Sequence, residues 1–79
     1  MNKPGEKRSD VIREARLRKG YTQMEAAAKA EITLRTYQRL EHGERDISSA
    51  SMKTGIGVCA ALGLDPTTLI LGGELQIDS

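Results

Sequence analysis

The chain has 79 residues, room for one domain around one modest core. It carries no Trp and no Phe, so that core is built from Ile, Leu, Val, Ala and Met. Such a palette suits closely packed helices better than a sheet, where β-branched and aromatic residues are enriched, and the expected class is all-α. Net charge is +1 with a pI near 7.9, which excludes capture of a polyanion by bulk attraction alone; the placement of charge must decide.

The single cysteine, Cys59, permits neither an internal disulfide nor a zinc cluster, and one reduced thiol fits a cytoplasmic protein. The opening MNKPGEKRSD lacks the apolar core of a signal peptide, and no later run reaches membrane-spanning length, so a soluble intracellular chain is expected.

Residues 1–8 are polar and read as a flexible tail before a domain over 9–72, with a second tail over 73–79. Ser9 or Asp10 can cap a first helix reaching about Lys19, with Val11, Ile12 and Ala15 inward and Gly20 at its end. Thr22-Gln23-Met24-Glu25 has the pattern of a capping box, with Tyr21 placed as a hydrophobic staple on Ala26. The helix it opens is rich in alanine, which lets a neighbouring backbone come close. Thr33 opens a third helix to about His42, followed by Gly43. Glu44 to Ser51 is polar and reads as a loop. Met52, Ile56, Cys59 and Ala60 form an apolar stripe on a fourth helix ending near Leu62, weakened by Gly55 and Gly57 at about 1 kcal/mol each relative to Ala. Asp65-Pro66 starts a short fifth helix, Pro66 to Leu71, stopped by Gly72-Gly73.

Two short helices joined by a tight turn predict a helix-turn-helix, and the third helix carries its chemistry. Tyr37 and Leu40 face inward, while Leu34, Arg35, Gln38, Arg39 and His42 share the opposite face at helical spacing. That face presents guanidinium, carboxamide and imidazole groups and no carboxylate. Arg can bond guanine O6 and N7, Gln can bond adenine N6 and N7, and Leu34 can pack on a thymine methyl. A plain solvated face is the alternative. Glu41 falls toward the inner side and needs a partner; Arg16 on the first helix is the candidate, although two independent surface charges would fit the same spacing.

The run from Arg16-Leu17-Arg18-Lys19-Gly20-Tyr21-Thr22-Gln23 through Ala27, Thr33, Tyr37 and Leu40-Glu41-His42-Gly43 resembles the lambda-repressor-like, or Cro/CI (XRE), helix-turn-helix family. Ala60-Ala61-Leu62-Gly63-Leu64-Asp65 resembles the close of that family's fourth helix, and the likeness spans about residues 10–71. It implies a five-helix DNA-binding domain acting as a homodimer on a palindromic operator, a transcriptional regulator that is a repressor or a controller of its own operon. By the same resemblance Thr33, Leu34, Arg35 and Arg39 contact bases, with Thr36 and Gln38 flanking, and Gln38 joins the base-contact candidates through the face it shares with them. Gln23 and Thr36 contact phosphate, with Arg18, Lys19 and Arg45 as further phosphate candidates, and Arg16 pairs with Glu41.

Four departures bear on docking, one of them a loop before the fourth helix about three residues longer than the commonest form. Glu31 replaces the glycine common in the turn, so it either adopts a positive φ or reshapes the turn. Ala26 stands where leucine is usual, leaving space for Tyr21, Tyr37 or Met24. Glu44 puts an acid where a basic or polar residue is frequent. Leu64, Leu69, Ile70 and Leu71, with the Glu74–Ile77 tail, are the dimer candidates, although the same leucines could be spent inside.

An enzyme is not indicated: there is one His and one Cys, with no triad or metal-ligand spacing, and no cofactor is expected. Cys59 reads as a small core residue, His42 as a surface residue at a helix end, and Gly55-x-Gly57 lacks the strand a nucleotide fingerprint needs. RNA binding lacks exposed aromatic platforms. A protein-interaction module that has kept the fold and lost specific DNA binding is the remaining alternative, and no ligand-sensing domain is expected.

Overall fold

The structure, a computed structural model, describes residues 7–71. In chain order it has α1 (Arg8–Lys19), α2 (Gln23–Ala30), α3 (Leu34–Glu41), a 3-10 turn (Ile47–Ser49), α4 (Met52–Leu62) and α5 (Pro66–Leu71). No strand occurs among the described residues, as the all-α expectation requires. Residues 1–6 of the expected 1–8 tail, Gly72 and the whole 73–79 tail with its Glu74–Ile77 dimer candidates lie outside them, as do the side chains of the dimer candidates Ile70 and Leu71.

Local signals place most of the boundaries. Thr22 Oγ1 accepts from the Glu25 amide at 3.1 Å, and the Thr22 amide donates to Glu25 Oε1 at 2.8 Å, completing the capping box. Thr33 Oγ1 accepts from the Thr36 amide to start α3, and Ser51 Oγ accepts from the Thr54 amide to start α4. Gly20 and Gly63 end α1 and α4 in the left-handed conformation that glycine adopts without a Cβ penalty.

The first helix starts differently from the sequence expectation. Neither Ser9 nor Asp10 caps it; the helix begins at Arg8, and Lys7 at the cap position makes no side-chain bond. Long-range partners anchor this end instead. Arg8 Nε donates to the Leu69 carbonyl at 2.9 Å, and its Nη1 meets Asp46 Oδ2 at 2.9 Å. Arg8 therefore belongs to the folded domain rather than to a tail.

The core joins Val11, Ile12 and Ala15 of α1 to Ala26, Ala27 and Ala30 of α2 and to Tyr37 and Leu40 of α3. Val58, Cys59 and Leu62 of α4 close it, together with Ile47 and Leu69. Burial raises the pKa of the Cys59 thiol, which keeps it an unreactive core group. Ile47, only 2% exposed, corrects the reading of Glu44 to Ser51 as a polar loop: a 3-10 turn within it carries a core side chain.

The inner face of α4 is also corrected. Met52 and Ile56 are 78% and 51% exposed and Ala60 is exposed, while Gly55, Val58, Cys59 and Leu62 are buried. The reason is the partner, because α2 presents an alanine wall and α4 meets it with glycine. A Cβ on Gly57 would lie 2.6 Å from the Ala30 carbonyl oxygen, closer than real Cβ atoms come to anything. Gly57 thus brings α4 onto the last residue of α2, the position from which the turn into α3 departs. Met24 does not fill the space beside Ala26, since it is 66% exposed; Tyr37 is fully buried, and Tyr21 packs partly against the core.

Candidate nucleic-acid interface

The site is organised from a buried acid. Glu41 is 3% exposed, and its carboxylate accepts from groups on three helices. Arg16 of α1 donates through Nε to Oε2 at 2.7 Å and through Nη2 to Oε1 at 3.1 Å, the forked geometry that suits guanidinium to carboxylate. Gln23 of α2 donates from Nε2 to Oε1 at 2.6 Å, and the Tyr37 hydroxyl donates to Oε2 at 2.8 Å from inside the core. The remaining Arg16 nitrogen, Nη1, donates to the Tyr21 carbonyl at 2.9 Å. Burial alone would raise the Glu41 pKa, but the bonds from Arg16, Gln23 and Tyr37 outweigh it and hold the carboxyl below the usual range. Burial, together with the bond to Glu41, pushes the Tyr37 hydroxyl pKa up, so it stays a protonated donor.

Spacing alone points to the Arg16–Glu41 pair. It does not point to Gln23 and Tyr37 as further donors to the same carboxylate. A tyrosine four residues before a buried glutamate on the same helix face is the signal that could have found one of them. The arrangement fixes α1, α2 and α3 around one charge. Removing one partner of a buried pair of this kind typically costs about 3–5 kcal/mol.

Outward from this hub, α3 presents Arg35 and Arg39 exposed, with Leu34 and Gln38 half-buried beside them and exposed His42 just beyond its last turn. Glu41 is the one acid within α3, and it points inward and is neutralised. The outer face is accordingly cationic. Gln38 Nε2 donates to Gln23 Oε1 at 3.2 Å, tying this face to the start of α2. Thr33 is exposed at the α3 cap, where its hydroxyl donates to Thr36 Oγ1 at 2.9 Å.

The turn between α2 and α3 keeps the geometry for which glycine is usual. Glu31 takes φ 61°, ψ 41°, so a side chain sits in the left-handed region instead of the turn changing shape. Thr36 and Arg39 share a surface recess of about 220 Å³ with Arg45, Ala50, Ser51 and Thr54. Arg45 Nη2 reaches the Ser49 carbonyl at 3.3 Å, and Arg39 Nε stands 3.9 Å from Glu44 Oε1, an exposed and loose pair. Arg18 and Lys19 are both exposed in the last turn of α1, and the Lys19 side chain lies against Gly63 at the end of α4. Leu69 is 4% exposed and is spent in the core, which removes it from the dimer candidates; Leu64 is half-buried against the same core.

None of the described helices is long and apolar enough to cross a membrane, and no cluster of metal-ligating side chains occurs among the described residues. Two short helices joined by a tight turn, with a cationic second helix facing out, have the arrangement of a helix-turn-helix, the fold of a class of DNA-binding regulators. The helix-turn-helix family model matches residues 12–69, and the chain belongs to this family, of the Cro/CI (XRE) type. No curated protein and no solved structure matches the chain.

Proposed function

We propose that the protein is a cytoplasmic homodimeric repressor, or controller of its own operon, that lays α3 in the major groove of a two-fold symmetric operator. Base edges are read by Thr33, Leu34, Arg35, Gln38 and Arg39, and phosphates are held by Gln23, Thr36, Arg45, Arg18 and Lys19. The observation that carries this reading is the polarity of α3: its one acid is buried under Arg16, Gln23 and Tyr37, leaving Arg35 and Arg39 to dominate the outer face. Gln23 keeps one amide N–H beyond the bond to Glu41, which suits it to a phosphate oxygen beside the start of α2.

The test is selection of purified protein on a random duplex library, with the bound fraction sequenced. A two-fold symmetric motif is the expected result. Arg35→Ala and Arg39→Ala should then each lose about 1–3 kcal/mol and relax preference at one base position. Affinity should fall with salt at a log–log slope of about −0.9 per phosphate contact, which an apolar protein-interaction module would not show. Equal losses on every sequence for both arginine variants would remove direct readout. Absence of any enriched motif from folded protein would remove DNA recognition by α3 altogether.

A further inference from the structure

We infer that the outer side of α4 is the docking surface for a segment of the same chain, residues 74–78, laid along it in extended form. Across its 11 residues α4 carries one charged side chain, Lys53, and a helix that is apolar all round is ordinarily covered all round. Only one side of α4 is covered. Gly55, Val58, Cys59 and Leu62 enter the core, while Met52 is 78% and Ile56 51% exposed. Ala60, also exposed, continues their row, because steps of four residues stay on one side of a helix. Lys53 is exposed beside this row and pairs with no acid among the described residues. The surface therefore suits apolar side chains edged by negative charge.

The segment Glu74-Leu75-Gln76-Ile77-Asp78 has that composition. Leu75 and Ile77 alternate with polar residues, the period of a strand with one apolar side, and both charges are acidic. Gly72-Gly73 ahead of it lets the chain turn without a Cβ penalty. The fold delivers this segment to the correct end of α4. Arg8 bonds the Leu69 carbonyl and Asp46 at 2.9 Å each, and α5 packs on Ile47–Ser49, the turn that leads into Met52. Two residues of strand advance about 6.8 Å. Four residues of helix advance about 6 Å, so Leu75 and Ile77 match Met52 and Ile56 in spacing. The long stem of Lys53 lets its ammonium reach the carboxylate of Glu74 or Asp78. The short tether selects the chain's own segment over that of a second copy, since a few linking residues hold it at an effective concentration on the order of millimolar. Any other protein surface that uses this side of α4 must first displace it. The inference stands apart from the reading of α3.

The experiment is nuclear Overhauser spectroscopy of the full chain with isotope-labelled methyl groups. The Leu75 and Ile77 methyls should show contacts to those of Met52 and Ile56. In an equal mixture of labelled and unlabelled chains, filtered for contacts between different chains, none of these should appear. Lys53→Glu should weaken the contacts by setting like charges together. Leu75→Ser combined with Ile77→Ser should abolish them and raise the fluorescence of added anilinonaphthalenesulfonate, with the circular dichroism unchanged. Spectra with no contact between the segment and α4 overturn the inference, as does a doubly substituted chain that binds no more dye than wild type. Contacts that pass the interchain filter also overturn it, and assign this side of α4 to a second copy.

Discussion

Replacing Gly57 by alanine tests the packing that carries the helix-turn-helix. The new Cβ would fall 2.6 Å from the Ala30 carbonyl oxygen, 3.5 Å from its carbonyl carbon and 3.8 Å from its Cα. Non-bonded heavy atoms settle near 3.5–4.0 Å, so the two helices must separate locally by about 1 Å. Overpacking of this kind costs about 1–3 kcal/mol, and the obstacle here is backbone, which cannot rotate aside, so the upper part of that range applies. Alanine returns about 1 kcal/mol of helix propensity. The expected net loss is about 1–2 kcal/mol, where an exposed helical glycine would have given a gain. For a domain of this size each kcal/mol moves Tm by about 4–8 °C, so thermal and urea unfolding followed by circular dichroism will resolve it. DNA affinity should fall too, since Ala30 is the last residue before the turn into α3. A Gly57→Ala variant with an unchanged or higher Tm would refute the reasoning.

Three further outcomes are expected. Glu31→Gly relieves a left-handed backbone worth about 1–2 kcal/mol and loses about 0.5–1 kcal/mol to glycine's freedom when unfolded, so denaturant titration should show a gain of about 0.5–1 kcal/mol. A loss would mean that the Glu31 side chain contributes more than its backbone strain costs. Glu44→Gln removes an acid that pairs only loosely with Arg39, so Tm should barely move while DNA affinity rises at low salt and the advantage fades at high salt; equal affinity at every salt concentration would contradict this. The folded Glu41 pKa lies below its ordinary value of 4.5, so its stabilisation is fully present above that pH and is lost as pH falls through the lowered value. Glu41→Gln should cost about 3–5 kcal/mol at neutral pH and decline less steeply into acid, and parallel Tm-against-pH curves for the two proteins would exclude the linkage.

What was legible in the sequence was local or matched a family frame. The Thr22–Glu25 box and the glycine ends of α1 and α4 need only neighbours a few residues away, and each stands where those neighbours imply. Elements decided by distant partners were not legible. Arg8 looks like part of a polar tail until Leu69 and Asp46 come beside it, and Ile47 looks isolated among polar residues until the turn folds it under α5. The face of α4 misleads for a physical reason. Met52 and Ile56 make the more hydrophobic stripe, yet an alanine wall on α2 is best met by a surface without bulk, so size complementarity overrides hydrophobicity. Around Glu41, charge matching reveals Arg16, but neutral donors such as Gln23 and Tyr37 carry no such mark.

The seam between α2 and α4 also bears on how the domain can dock. Alanine methyl groups, a glycine Cα and a peptide carbonyl have no rotamers, so their contact gives up no side-chain entropy on folding. The same atoms have no alternative arrangement through which α2 could shift to suit a different groove. On the proposed docking, accommodation to DNA would be left to the long side chains of Arg35 and Arg39 and to the duplex itself, which bends or twists at a cost that depends on its sequence. Operators would then be sorted partly by how readily they conform to a stiff template, at base pairs the protein never touches.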